Sequence, residues 1–530
     1  MKNTTTKITL NEGARDALLC GAKKLCDTVK LTIGPKGRNA IIERKGSTPL
    51  ITNDGVTIAR EVSLADPVEN LGAQVLRQAS QKTCEKAGDG TTSAIVFAEK
   101  LLQNGHRKIA LGESPILLRD GMNKAANFVA EYVRSIAKPC ATFAQIQAVA
   151  ANSCGNLEDG ALIAKALERV GSDGVVTLEM GQTASTTLDF SDGMELDLEL
   201  ASPYFLQGSS KPEVAYSDAK LLLVAGQIKS INELLPTLEI ALKDKQNLII
   251  VANDFAPDVI AGLVVNKVRL GVQIMAYKTA RLGANAHAIL ADVAALAGAT
   301  VASAENDLTV ANLEQKHLGC AQKVVCKIDG ITIQNQGSEG LKSRVEMLKN
   351  QLESAKIEGV DEYNLGRLRE RIARLGSGVA VISVGAATEV EARERYLRIE
   401  DGVAAARAAM GLGVVEGGGV AYIRAAKALE GYIQSTPEVL KPGAQVVQKS
   451  LDVILENICI NAGVSSDIVL DRVKNNAERV GYNALSGEYC DMFEAKIIDP
   501  AVVVESVVVN AVSVVGTLLT TEAVLTEEVP

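Results

Sequence analysis

Ala87-Gly88-Asp89-Gly90-Thr91-Thr92-Ser93, running directly into Ala94-Ile95-Val96-Phe97-Ala98, is the stretch on which the reading of this 530-residue chain turns. Its two glycines free the backbone to approach a ligand, its three hydroxyls offer hydrogen bonds, and the apolar run opens a helix whose N-terminus attracts phosphate. Asp89 adds a carboxylate suited to Mg2+. The same letters also describe a tight turn followed by a helix cap, so alone they leave a phosphate cradle and a plain surface turn both open. No Gly-x-x-x-x-Gly-Lys-Ser/Thr string occurs in the chain, and the triplet Gly417-Gly418-Gly419 lacks the strand-turn-helix spacing of a dinucleotide site. A nucleotide here needs a cradle of another kind.

Upstream, Ala14, Ala17, Leu18, Gly21, Leu25 and Val29 recur at three- and four-residue spacing, which predicts a helix over 12–30 stopped by Gly34-Pro35. Leu31 to Asn39 then combines a tight turn with the cations Lys36 and Arg38, again suited to an anion. Ala40-Ile41-Ile42 and Pro49-Leu50-Ile51-Thr52 flank Arg44-Lys45-Gly46-Ser47 as a hairpin, closed by a second turn at Asn53-Asp54-Gly55. From Gly72 to about Val133 the pattern is helical, with breaks at Ala87 to Gly90 and Gly112 to Pro115.

Downstream, short β-rich runs alternate with helical segments between about 175 and 335, the mark of an α/β domain. Residues 338–375 read as a charged helix pair whose charges solvate its outer face. Helical texture returns at 386 and holds to about 475, broken at the glycine triplet. All-α texture thus brackets an α/β insert, with Gly193 and Gly378 at the crossings as expected hinges.

At this length one hydrophobic core does not suffice, and 47% hydrophobic against 22% charged residues describes several packed cores rather than a disordered chain. A net charge of −9 argues against a nucleic-acid partner. With aromatics at 3%, any partner surface must be aliphatic. The N-terminal residues carry no apolar signal stretch and no run of about 18 apolar residues occurs, so a cytoplasmic protein without a membrane partner is expected. Nine cysteines without tight metal-like spacing read as reduced thiols, and His106, His287 and His317 are too scattered to be assigned a role.

Seven strings stand in one order: Thr32 to Asn39, Asp54-Gly55-Val56, Ala87 to Thr92, Ser202-Pro203-Tyr204-Phe205, Val384 to Glu391, Gly417 to Ala421, and Gly481-Tyr482-Asn483-Ala484. In this order they resemble the group I (GroEL-type) chaperonins, over nearly the whole chain. The resemblance implies a multidomain fold: an all-α equatorial domain with a small β hairpin (1–135 and 412–530), a small α/β intermediate domain (136–192 and 379–411), and an inserted α/β apical domain (193–378). It implies an ATPase that captures non-native polypeptides and folds them in a ring cavity. The rings would be heptameric and stacked in pairs, with a GroES-type co-chaperonin as lid and ATP, Mg2+ and K+ as cofactors.

For the site, the resemblance implies Thr32, Ile33, Gly34, Pro35 and Asn53 with Asp89, Gly90, Thr91, Thr92 and Ser93 around the phosphates. Asp89 would be the Mg2+ ligand, Gly418 would lie at the ribose, and Asn483, Ala484, Leu485 and Asp499 at base and sugar. Asp401, with Asp54, would flank the attacking water. By spacing alone Asp401 is an ordinary surface carboxylate. Ile231, Leu234, Leu235 and Leu238, like Ile260, Leu263, Val264 and Val268, form stripes that by spacing alone read as core. The resemblance instead implies a client- and lid-binding face of Leu200, Tyr204, Phe205, Leu235, Leu238, Ile260, Val264 and Val265.

Asn53, Ser93, Glu416 and Leu485 depart from the family's usual residues at the site, as do Tyr277 to Gly283 in the insert, and no Gly-Met repeat is present. These departures describe a divergent paralogue. They keep a second reading open, a protein-binding chaperonin with weak or lost ATPase cycling or ring assembly.

Overall fold

The computed structural model describes residues 5–43, 49–140, 142–171, 174–181, 183–206, 213–243, 246–270, 273–279, 286–303, 306–335, 339–357, 364–365, 368, 371–372, 375, 378–476 and 479–528. It divides into two compact units, one of Met1–Lys165, Leu178–Thr187 and Ser383–Pro530, the other of Ala166–Thr177 and Leu188–Ile382.

The first unit begins with strand β1 (Thr5–Leu10) and helix α1 (Asn11–Val29), whose buried face carries Ala14, Leu18, Leu25 and Val29 as the spacing predicts. Strands β2 (Ala40–Ile42) and β3 (Leu50–Thr52) pair antiparallel, Ile41 opposite Ile51. The turn expected at Arg44 to Ser47 lies outside the described residues. Helix α2 (Gly55–Glu61) replaces the second turn: Asp54 caps it, accepting from the amides of Val56 and Thr57. Next come α3 (Pro67–Ala87), capped by Asp66 with Pro67 in its first turn, then α4 (Thr91–Ala110), α5 (Pro115–Ile136), α6 (Phe143–Cys154) and α7 (Leu157–Val170).

The second unit is built on a sheet of strands β4 (Val175–Met180), β5 (Thr187–Asp197), β6 (Glu199–Leu200), β7 (Glu213–Ile228), β8 (Asn247–Phe255), β9 (Ile274–Lys278), β10 (Gly319–Lys327), β11 (Gly330–Asn335) and β12 (Val379–Val384). Their order is β4-β12-β5-β11-β10-β7-β8-β9-β6. β7, β8 and β9 run parallel, linked by α8 (Ile231–Lys243) and α9 (Pro257–Leu270). Their runs Leu221 to Val224, Leu248 to Val251 and Ile274 to Tyr277 are buried, as parallel strands covered on both faces are.

Helices α10 (Ala286–Ala297) and α11 (Glu339–Ile357) also belong to this unit, which has Leu341, Leu348 and Leu375 in its core. The charges over 338–375 do more than solvate a face. Arg344 Nε donates to Asp292 Oδ1 at 2.8 Å, and Arg371 Nε and Nη2 donate to Asp292 Oδ2 and Oδ1 at 2.8 and 2.7 Å. Asp292 is 0% exposed, and a carboxylate buried that far needs such partners. Gly193 is not a loop hinge. It pairs with Gln334 inside β5, where a Cβ would stand 2.4 Å from Val379 Cγ2, so its missing side chain serves close packing.

The chain then returns to the first unit as α12 (Glu389–Leu412), β13 (Val414–Glu416), α13 (Val420–Ser435), α14 (Lys441–Ser450), α15 (Val453–Ala462), α16 (Ser466–Asn475), β14 (Val480–Asn483), β15 (Glu488–Asp491), β16 (Ile498–Pro500), α17 (Ala501–Leu519) and β17 (Ala523–Glu528). Helix α17 lies beyond the helical region expected from the sequence and is the core of the unit, packed on α3, α4 and α5. It is long and apolar enough to cross a membrane by length and composition, yet 72% of it is buried within the fold. Its single carboxylate, Glu505, is gripped by Arg134 Nε and Nη2 at 2.7 Å and by Lys86 Nζ at 3.1 Å. β17 pairs antiparallel with β1, Thr5 opposite Glu528.

Candidate functional site

Every residue expected around a nucleotide belongs to the first unit. The Gly88-Asp89-Gly90 junction joins α3 to α4 through two left-handed residues, Gly88 at φ +68° and Gly90 at φ +79°. A Cβ at Gly90 would lie 2.5 Å from Val503 Cγ1, so both backbone conformation and space demand glycine. Gly90 is also the N-cap of α4, and no side chain caps it. The first-turn amides at Thr91, Thr92 and Ser93 are therefore left for another acceptor, the arrangement that binds anions.

Two further segments meet this helix end. A Cβ on Gly55, next to Asp54, would come within 2.3 Å of Thr92 Oγ1. The 3-10 turn Lys30–Thr32 packs against α4. It leads into Ile33, Gly34 at φ +82° and an exposed Pro35. Asn461 Nδ2 pins this loop by donating to the carbonyls of Lys30 and Ile33, both at 2.9 Å. Thr32 is buried and its hydroxyl donates to the Val29 carbonyl at 2.9 Å, so that hydroxyl is already in use.

Three further carboxylates, Asp54, Asp401 and Asp499, interact electrostatically with Asp89. Asp89 takes the Gly90 amide on Oδ1 and the Ser153 hydroxyl on Oδ2 at 2.9 Å, and burial still pushes its carboxyl above the ordinary range. Asp401, on α12, is pushed well above the ordinary carboxylate range: burial acts first, then the charges of Asp89, Asp54 and Glu400. Among the described residues no donor reaches it. Asp499, in β16 opposite Val415, is pushed up to about 7 by burial and by Asp89, while the Gly418 amide acts in the other direction. Asp54 gives Oδ1 to the Val56 amide and Oδ2 to the Thr57 amide and hydroxyl, at 2.6 to 3.1 Å.

On the opposite side, Gly418 and Gly419 precede α13 with φ of +61° and +86°, and Met492 lies between Gly418 and Gly481. Asn483 Oδ1 accepts from the amides of Leu485 and Ser486, closing the turn after β14. Ala484 is buried, whereas Leu485 is 68% exposed. The structure thus gathers Asp54, Asp89, Asp401 and Asp499 at one helix N-terminus and leaves the Leu485 side chain on the surface. Asn53 is half-buried beside Asp54.

Among the described residues no group of three or more His, Cys, Asp or Glu is gathered to cage a metal ion. A divalent ion that enters with phosphates and keeps much of its water fits these donors, because it needs only one or two carboxylates. Asp89 supplies one.

The sequence model of the TCP-1/cpn60 chaperonin family matches residues 25–528. The chain belongs to that family. Among solved structures, this chaperonin is similar to the chaperonin gp146 from bacteriophage EL 2 (Pseudomonas aeruginosa), crystallised in the presence of ATP-BeFx. The TM-score is 0.71 at 18% identity, over 98% of this chain and 99% of that one. The multidomain GroEL-like fold expected from the sequence is therefore the observed one.

In this chaperonin's second unit, the expected client face divides. Tyr204 is 59% exposed, Leu235 and Val265 are exposed, and Ile260 and Val264 are half-exposed. Leu200, Phe205 and Leu238 are instead buried, Phe205 with 1% exposure. They pack into the hydrophobic core of this unit and do not reach the surface here. Of the departing stretch Tyr277 to Gly283, Ala280 to Gly283 lie outside the described residues. Tyr277 is buried, its hydroxyl donating to the Lys327 carbonyl at 2.6 Å.

Sequence reasoning missed Ser153 and Tyr422. Tyr422 is buried, and its hydroxyl is pushed up by burial and by the charges of Asp499 and Asp89. Neither residue has a local signal. Ser153 sits 64 residues from its partner Asp89, at the end of a helix whose spacing speaks only of packing.

Proposed function

We propose that this chaperonin is an ATP-dependent folding machine. In this reading ATP lies at the α4 N-terminus, with its phosphates on the amides of Thr91 to Ser93, beside Gly90 and the Thr32 to Pro35 loop. Gly418, Asn483, Ala484 and Asp499 hold the nucleoside. The observation that carries the reading is Asp401: a carboxylate with no donor among the described residues, pushed up by burial and two neighbouring acids beside an uncapped helix N-terminus. A raised carboxyl is a better base once ionised, which suits Asp401 to orient the attacking water and take its proton. Asp54 has both oxygens engaged in capping α2, which suits it to holding Thr57 and the adjacent loop. Mg2+ on Asp89 would offset charge on the transferring phosphoryl group.

The proposal extends to the rest of the chain. Residues 1–135 with 412–530 act as the equatorial domain, 136–192 with 379–411 as the intermediate domain, and 193–378 as the apical domain. Tyr204, Leu235, Ile260, Val264 and Val265 then form a largely aliphatic face, with one aromatic ring, that binds clients by area rather than shape, and also takes a GroES-type lid. The protein works as stacked heptameric rings in the cytoplasm. The ATP-BeFx present in crystals of the phage chaperonin supports the nucleotide part of this reading.

Steady-state ATP hydrolysis of the purified protein, against Asp401→Ala and with a GroES-type lid added, tests it. Turnover lost in the variant and changed by the lid is expected. Turnover no higher than the variant's would refute cycling and leave a non-cycling protein-binding chaperonin.

A further inference from the structure

Asn152 and Ser153 close α6, and each reaches the site from a different side. Asn152 Nδ2 donates to the Lys496 carbonyl at 2.9 Å and, more weakly, to the Ile498 carbonyl at 3.4 Å, next to Asp499. Ser153 Oγ donates to Asp89 Oδ2 at 2.9 Å. Helix α6 is in turn locked to α12: a Cβ on Gly402, adjacent to Asp401, would stand 3.2 Å from Cys154 Cβ and 3.3 Å from the Ala150 carbonyl. One helix end therefore touches the acid expected to hold Mg2+ and the strand carrying Asp499, and packs on the helix carrying Asp401.

We infer that Ser153 is a positioning residue for the cation site: its hydroxyl fixes the Asp89 carboxylate and ties that carboxylate to the α6–α12 pair. The inference rests on the nucleotide reading above and deepens it. With Oδ1 held by the Gly90 amide and Oδ2 by Ser153, the carboxylate cannot rotate about its last bond, so a cation meets a preset pair of oxygens. Partners of this kind, which touch a ligand residue rather than the metal, commonly set metal affinity by about 10–100-fold. Seating of α6 is thereby felt at Asp89 through one hydrogen bond.

The test is nucleotide-induced thermal stabilisation of the full chain, titrated with Mg2+ at fixed ADP, in the parent, Ser153→Ala and Ser153→Thr. The Mg2+ concentration giving half the stabilisation is expected to rise about 10-fold in Ser153→Ala, while Ser153→Thr, which keeps the hydroxyl, stays near the parent. Stabilisation by ADP in EDTA is expected to be equal in all three, which separates a cation effect from damage to the fold. An unchanged Mg2+ requirement in Ser153→Ala overturns the inference and leaves the nucleotide reading intact. A parent chain that ADP with Mg2+ does not stabilise overturns both.

Discussion

Replacing Asp499 by Asn is expected to stabilise the free chain, and to do so only where the aspartate would be ionised. In β16 the carboxyl is pushed from its ordinary 3.8 to about 7 by burial and by Asp89. The folded state thus binds the proton more tightly than the unfolded state. Stability contributed at low pH is lost as pH climbs from about 4 through about 7. The full gap corresponds to about 4 kcal/mol. Asp499 keeps partial solvent contact, and screening reduces the figure to ~2 kcal/mol. Asn keeps an oxygen for the Gly418 amide, so the change removes charge while leaving the local hydrogen bond. Thermal unfolding of parent and variant followed by circular dichroism, at about pH 8 and about pH 5, reads the difference. A gain of a few degrees near pH 8 that shrinks to about a third near pH 5 is expected. An equal gain at both pH values, or none, would refute the claim that a strained charge sits at this position. If Asp499 holds the ribose, the same variant binds nucleotide more weakly, so stability and binding move in opposite directions.

Gly90→Ala forces a Cβ into a left-handed backbone and against Val503. It is expected to cost ~2–4 kcal/mol in urea unfolding, visible as a lowered midpoint with unchanged slope. Glu505→Gln removes a carboxylate that Arg134, then Lys86, holds below its ordinary range. Both cations are about half exposed and regain water, so ~1–3 kcal/mol is expected at neutral pH. Because that carboxyl is lowered, its contribution is lost as pH falls through its folded value, and the gap between parent and Glu505→Gln should narrow as pH drops below the ordinary 4.5. The double variant Leu235→Ser/Val265→Ser removes two exposed apolar side chains and is expected to weaken capture of a denatured client several-fold, measured by light scattering, with secondary structure unchanged.

Local rules made much of this fold legible. Helices α1, α3, α4 and α5 follow from three- and four-residue spacing with Gly34-Pro35, Ala87 to Gly90 and Gly112 to Pro115 as punctuation, although α3 starts at Pro67 and not at the expected Gly72, and the Gly-Asp-Gly junction takes the positive φ that glycine allows. Helix α17 escaped because six of the nine residues from Ala501 to Val509 are valine. β-branched runs favour strands by propensity, and only burial on every side makes such a run a helix here. The β1–β17 pair, the Arg344 and Arg371 grip on Asp292, and Ser153 on Asp89 each join residues far apart in the chain, and nothing in either local stretch announces its partner. The same distance explains the client face. Spacing finds the stripe on α8, but which of Leu235 and Leu238 faces out depends on what packs against the helix.

The treatment of acids separates scaffold from site. Where the chain recesses a carboxylate for structure, it supplies guanidinium: Arg395 takes both oxygens of Asp159 at 2.6 and 2.9 Å, Arg344 and Arg371 take Asp292, and Arg134 takes Glu505. Each of these acids ties helices together, and each is satisfied within the fold. At the α4 N-terminus the rule is reversed. Asp89, Asp401 and Asp499 are raised first by burial, and Asp89 raises both of the others; their donors are amides and one hydroxyl rather than cations, and Asp401 has none among the described residues. Total stability is commonly about 5–15 kcal/mol, so burying acids without cations is a local cost that counts. A fold with arginines to spare elsewhere had the means to neutralise it. Leaving these acids without cations keeps the charge available to a cation that arrives with a ligand, and concentrates the gain from such binding at the junction of α3, α4, α12 and β16, where the proposed hydrolysis needs the helix carrying Asp401.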